Sequence, residues 1–441
     1  MQYVSGIFCL AIVSTAMAQP FVEADLIDAK DIDPTTEQGA LGSRVQFASD
    51  GGILLASAPL RNDPGFSGSQ NGSVYSFQVL GNGELALQQI IEPGPRNQFG
   101  TVLAADGEWA AIGESGDKVR IYRLVSGTWN ETQLLRIDPD VPAEPGVTAR
   151  GLGSSAAMLG NLLVIGDRRT NIAIGEVTRS NAGSVILFRR GLDNQWRHEA
   201  TLIAPLPQSS FEFGREVAIS GDSVLVGAQN DTILVDGQTR TVGGAYLFRR
   251  SGATWQHVKT LRDPDPEPAN RRFGWSVAIE DDLAVVGCAS CGQPDTGAIN
   301  NTGAFFTYRR DLGGTNAWGR VGKTVASAPL AIDEFSSALS LRNKVLLVGA
   351  ANVRHASFYV GSSSGQWLEH SVLQDGAEQG TNFGAAVDFS GGVAMIGAPR
   401  WPNTSTSARW GAISSWYSRS IAVCRGQFDG IFCDRFEDAN P

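Results

Sequence analysis

Seven times along the chain a large apolar residue followed by a small one is succeeded, about a dozen residues later, by an apolar-Gly or apolar-Ser step. The first steps are Leu41-Gly42, Phe99-Gly100, Leu152-Gly153, Phe213-Gly214, Phe273-Gly274, Phe335-Ser336 and Phe383-Gly384, spaced 58, 53, 61, 60, 62 and 48 residues apart. The second steps are Ala56-Ser57-Ala58-Pro59, Ile112-Gly113, Ile165-Gly166, Val226-Gly227-Ala228, Val286-Gly287-Cys288, Val348-Gly349-Ala350 and Ile396-Gly397-Ala398-Pro399. A repeat of this length is one supersecondary unit that buries its faces only against neighbours.

Each unit supplies four short strands, A to D, rich in β-branched and aromatic residues and punctuated by Gly, Asn and Asp. The A–B connection is a tight turn such as Ser220-Gly221-Asp222. Strand C recurs as Gly183-Ser184-Val185-Ile186-Leu187-Phe188 and Gly244-Ala245-Tyr246-Leu247-Phe248, and strand D opens on Trp129, Trp196, Trp255, Trp318 or Trp367. The B strands do not alternate: Val224-Leu225-Val226 and Leu346-Leu347-Val348 are apolar throughout, so each needs cover on both faces. Small sheets stacked around a ring supply that cover, whereas a sheet with one wet face would alternate. The expected fold is all-β, a seven-bladed propeller of four-stranded antiparallel blades. The seventh unit lacks its own outer strand, and Phe21–Asp28 resembles the D strand Trp255–Arg262. An N-terminal clasp strand is therefore expected to complete blade seven.

The paired steps resemble the FG-GAP repeats of integrin α-subunit propellers and their bacterial secreted relatives, over roughly residues 20 to 420. The resemblance implies the propeller fold and a binding or adhesion role. Calcium-binding members carry an Asp-x-Asp-x-Asp-Gly loop between the two steps. Here that connection is a turn too short to supply the several oxygen ligands Ca²⁺ takes, so no metal residue is assigned.

Residues 1–18 read as a signal peptide, with an apolar run from Val4 to Val13 leading to Ala16-Met17-Ala18. The propeller is placed at 19–420 and a separate tail at 421–441. Export sends the chain to the periplasm, the cell envelope or the medium. The four cysteines beyond the signal peptide suit an oxidising compartment, with local disulfides expected for Cys424–Cys433 and Cys288–Cys291. A formal charge of −10 disfavours nucleic acid as a partner, and no later run approaches a membrane span. The chain is expected to be a monomer.

Motifs suggestive of chemistry dissolve into the repeat. Gly361-Ser362-Ser363-Ser364-Gly365 matches a nucleophile elbow but joins two strands where the elbow needs a following helix. His198, His257 and His370 follow their blade's Trp by two or three residues. No catalytic or cofactor-binding residue is assigned. The long connections are B–C and D–A, which share one end of a meander, so function is expected on that loop face. Arg168, Arg169, Glu176, Asp231, Asp236 and Asp295, on the B–C loops of units three to five, are the expected ligand-face residues. The expected function is a non-enzymatic exported binding or adhesion propeller recognising an extracellular protein or polysaccharide. The alternative is a carbohydrate-active propeller enzyme.

Overall fold

A computed structural model of the chain describes residues 21–418, apart from 33–38, 49–50, 62–69, 93–97, 115, 117, 137–145, 149–152, 236, 264–271, 292–301, 328–333, 363–364, 375–379 and 401–410. The chain forms seven four-stranded antiparallel sheets arranged as the blades of a propeller. Blades one to six are contiguous in sequence, at 45–91, 102–136, 155–202, 217–261, 273–324 and 335–374. In each, the order is A-B-C-D from the ring axis outward. Blade seven takes its inner three strands from Ala386–Ser390, Val393–Ala398 and Ala412–Tyr417.

The B strands behave as their composition requires. Leu162–Asp167, Ser223–Ala228, Leu283–Cys288 and Val393–Ala398 are buried at every residue. The outer strands are more exposed, and in Trp367–Gln374 burial alternates because one face meets solvent. The core consists of layers between blades. One of them packs Val164 and Leu187 of blade three against Phe213, Val226 and Tyr246 of blade four.

The repeat signature has a single physical origin. A Cβ on Gly227, at the end of strand B of blade four, would stand 2.1 Å from the carbonyl oxygen of Gly274, the Phe-Gly glycine of blade five. Gly274 in turn has φ of +84° and no room for a side chain beside the Gly244 carbonyl. Gly166 meets Gly214 at 2.1 Å, and Gly349 meets Gly384 and Gly397 meets Gly42 at 2.0 Å, in the same way. At these four boundaries, the one between blades seven and one included, the two halves of the signature are the two sides of one inter-blade contact. In blade six Ser336 replaces the glycine at φ 71°. Its hydroxyl donates to the Ala304 carbonyl at 2.7 Å and accepts from the Cys288 amide at 3.1 Å.

Three of the recurring tryptophans tie their outer strand to the preceding blade through the indole. Indole nitrogens donate from Trp129 to Ser76, from Trp255 to Glu199 and from Trp367 to Thr307, at 3.1, 2.9 and 2.7 Å. Gln89 and Gln133 bond both the amide and the carbonyl of the next blade's Trp129 and Trp196.

The outer position of the seventh sheet is occupied by Val22–Asp28, antiparallel to Ala412–Tyr417. Its register slips at Ala24, between the pairs Glu23–Trp416 and Asp25–Ser415. The other six outer strands carry an extra residue at the same place, for example Val258 in blade four. Phe21 stacks on Phe358 of blade six with ring centroids 4.2 Å apart, reaching the preceding blade as the tryptophans do.

Cys288 and Cys291 are disulfide-bonded, with Cα atoms 5.4 Å apart. Cys424, Cys433, the signal segment and the tail lie outside the described residues. No described helix is long and apolar enough to cross a membrane.

Candidate functional site

At the loop end of the ring six of the first strands open from the same backbone device. The residue before the Phe-Gly step is left-handed in six blades: Ala40, Gln98, Glu212, Arg272, Glu334 and Asn382 have φ between 50° and 55°. For a residue with a Cβ this conformation costs about 1–2 kcal/mol. The ring imposes it, because the next residue must bridge the preceding blade, as in the pairs Gly183–Phe213, Gly243–Phe273 and Gly303–Phe335. These six residues, five of them polar, stand around the mouth of the axial channel.

The residue after the Phe-Gly step is small in five blades: Ser43, Thr101, Ser154, Ser337 and Ala385. In blades four and five it is Arg215 and Trp275, and the two meet. The Arg215 guanidinium lies 3.9 Å from the Trp275 ring centroid, and Arg272 lies 4.7 Å from it. Such stacking stabilises a cation by about 0.5–2 kcal/mol, according to its exposure. Arg272 also donates to Glu334 at 3.1 Å. Glu212 accepts from Arg168 at 3.4 Å and from Gln229. Among the described residues, the Arg215 guanidinium has no hydrogen bond or ion pair. Burial, and then the charge of Arg168, push its pKa down to about 10, so it is still a cation at neutral pH.

Below this mouth lies a cavity of about 250 Å³ lined by the first strands of all seven blades. Arg44 of blade one and Glu216 of blade four reach each other across it at 3.6 Å, and Arg44 also donates to the Ser154 carbonyl at 2.9 Å. Burial raises the Glu216 pKa against the opposing pull of Arg44 and Arg215. Deeper in the channel, Asp388 accepts hydrogen bonds from the Phe47 and Phe389 amides, from Ser340 and from Gln46, joining blades six, seven and one. Burial raises its pKa too, with Arg342 opposing.

The long loops of blades three and four are ordered as hairpins. Asn171–Ile174 pairs with Val177–Arg179, with Val147–Thr148 added at its edge, and Thr232–Val235 pairs with Gln238–Thr241. The connector between these blades is bonded to both loops. The Ser210 amide donates to the Ser180 carbonyl at 2.7 Å, and Thr232 donates to the Gln208 side chain at 2.8 Å. The hairpins expose Ile174 and Val177, each about half accessible, and Leu234, 73% exposed, with Leu206 of the connector beside them at 79%.

The six residues expected on this face have different situations. Arg168 is half-buried at the mouth, in its pair with Glu212. Arg169 is exposed, its amide donating to the Asp167 carboxylate at 3.1 Å. Glu176 is exposed at the tip of the blade-three hairpin. Asp231 is not on the surface: it is fully buried, accepting from Tyr246 at 2.9 Å and from Arg262, and it anchors the base of the blade-four hairpin. A short polar residue at the start of a loop serves as readily to fix that loop's stem as to meet a ligand. Asp236 and Asp295 lie outside the described residues. The structure brings Arg168 to one mouth with Arg44, Arg215, Arg272, Glu216 and Trp275, which sequence reasoning had not singled out. Their signal was present: aligning the seven Phe-Gly steps leaves Arg215 and Trp275 as the two large residues in a column of Ser, Thr and Ala.

Neither His198 nor His257 belongs to a site; each ring nitrogen bonds the threonine three residues on, at 3.0 Å. Among the described residues no group of three or more His, Cys, Asp or Glu is arranged to hold a metal.

A family model described as the FG-GAP repeat matches residues 196–248, from the outer strand of blade three through strand C of blade four. No curated protein matches the chain. The matched segment contains the clearest copy of a signature whose two glycines meet between blades, and this match together with the seven-bladed arrangement fits FG-GAP repeat propellers.

Proposed function

We propose that this propeller is an exported, non-enzymatic binding protein that engages an extracellular protein or polysaccharide on its loop face. One observation carries the proposal. The B–C loops of blades three and four are folded hairpins, bonded through the shared connector 203–212 into one surface that presents Ile174, Val177, Leu206 and Leu234 beside a charged mouth. A surface already ordered loses little conformational entropy on binding, and large apolar side chains exposed on it are available to a partner. The Cys288–Cys291 disulfide fits an oxidising compartment, which supports export.

The test is a binding panel of extracellular matrix proteins and polysaccharides, probed with the full chain. Triple substitution of Ile174, Val177 and Leu234 by serine, or Arg168→Glu, should lower binding at least tenfold with unchanged thermal stability. Asp222→Arg and Asp281→Arg, in tight turns at the opposite end, should leave it unchanged. Loss of binding in the tight-turn variants alone would place the interface on the wrong end. Amino-terminal sequencing of secreted protein should begin at Gln19.

A further inference from the structure

The mouth of the channel holds an asymmetry that the fold does not need. Five blades close the mouth with Ser, Thr or Ala, and the ring is as regular there as elsewhere. Blade four places a guanidinium at this position and blade five an indole. The indole orients Arg215, at 3.9 Å, and is also contacted by Arg272 at 4.7 Å. Stacking leaves the edge of a guanidinium, with its N–H donors, free to bond elsewhere. Every other guanidinium of the mouth is paired: Arg44 with Glu216, Arg168 with Glu212, and Arg272 with Glu334. Arg215 alone has no such partner among the described residues.

We infer that the Arg215–Trp275 stack is a receptor for a carboxylate, and that the carboxylate is an aspartate or glutamate side chain of a protein ligand seated on the loop face. The location rests on the binding surface proposed above. Charge selects the anion. Among the described residues, four guanidiniums (Arg44, Arg168, Arg215 and Arg272) face three carboxylates (Glu212, Glu216 and Glu334), leaving one formal positive charge. A monoanion balances it and a phosphate dianion overshoots. The guanidinium fork matches the two oxygens of a carboxylate, and bringing a negative group to Arg215 offsets both its burial and its repulsion from Arg168, the two causes of its lowered pKa.

The surroundings select the source. A sugar ring is held by stacking on an open aromatic face, whereas the one aromatic at this mouth already carries two guanidiniums. The hairpins beside it offer Ile174, Val177 and Leu234, which suit aliphatic side chains flanking an acidic residue.

The probe is a capped peptide, acetyl-Leu-Glu-Leu-amide, titrated calorimetrically into the full chain at low salt beside its Gln counterpart and trigalacturonate. The Glu peptide should bind at least tenfold more tightly than the Gln peptide, and the difference should shrink with added salt. Arg215→Met, which keeps the stem against the indole, should reduce the Glu peptide to the level of the Gln peptide with an unchanged melting temperature. Arg215→Lys, lacking the fork, should restore only part of the difference. Equal binding of the two peptides, binding of neither, indifference to Arg215→Met, or a preference for trigalacturonate overturns the inference. The serine variants of Ile174, Val177 and Leu234 separate the two proposals. If they abolish binding in the protein panel while Arg215→Met does nothing, the loop face stands and the carboxylate receptor falls. If Arg215→Met removes the Glu preference while the serine variants keep panel binding, the receptor stands and the hairpin surface falls.

Discussion

Arg44 and Glu216 stand on blades one and four, 172 positions apart in the sequence, and meet across the ring axis at 3.6 Å. The ion pair closes the channel immediately below the Arg215–Trp275 stack, so the mouth has a floor. Both partners keep roughly a third of their side-chain surface in solvent, which tempers their mutual energy.

Removing Arg44 alone strands a carboxylate whose pKa is already raised by burial. A raised carboxyl pKa means that the folded state holds a proton the unfolded state has released. The resulting cost is absent below about pH 4 and grows as pH rises through the folded value. Arg44→Met should therefore lose about 1–2 kcal/mol at pH 7, less than a fully buried pair because solvent screens it, and much less at pH 4. The double variant Arg44→Met/Glu216→Gln should recover most of the loss. Urea unfolding at the two pH values measures both effects.

Asp388 is a second buried acid, and its oxygens satisfy donors from three blades. Asp388→Ala should destabilise by about 3 kcal/mol or more, since each orphaned donor costs about 1–3. Asp388→Asn should cost less and should also change the pH profile. The wild-type carboxyl has a raised pKa, so its contribution to stability declines as pH climbs above about 4. The asparagine variant should show a flatter dependence. Unfolding midpoints across pH 4 to 8 report the difference.

Phe21 attaches the N-terminal strand to blade six through its stack on Phe358. Phe21→Ala should cost about 3–5 kcal/mol, the usual range for a buried phenylalanine. Deleting residues 19–30 removes the strand and leaves Ala412–Tyr417 as an open edge, so the melting temperature should fall sharply and aggregation rise. Melting curves and light scattering unchanged by the deletion would show that the strand is dispensable to the ring.

The blade pattern was legible because the inter-blade contact leaves little or no room for a side chain on either of its sides, and the glycine or serine this selects leaves its mark along the chain. Trp129, Trp255 and Trp367 were legible for the same reason. The site was legible only in part. Arg168 and Glu176 were placed on the loop face by their loop's length alone. Asp231 was misjudged, because a sequence does not distinguish a loop's stem from its tip. The meeting of Arg44 with Glu216 depends on the diameter of a seven-membered ring, which no local pattern encodes. Arg215 and Trp275 become conspicuous only when the seven units are aligned by column.

Chelation is a further check on the A–B turns, which are too short to cage a cation. Adding EDTA should move the melting temperature by no more than about 1 °C. A drop of many degrees would require a cation held elsewhere on the chain.

The left-handed residue ahead of each Phe-Gly step has a consequence for how such a protein diversifies. Its backbone is held by bridges to the neighbouring blade, so the identity of its side chain is free of the fold. Alanine, glutamine, glutamate, arginine and asparagine all occupy it in this one chain. One scaffold thus offers a set of variable positions around a single opening. Exchanging Asn382 for a charged residue would re-key the mouth for another partner while every blade stays where it is.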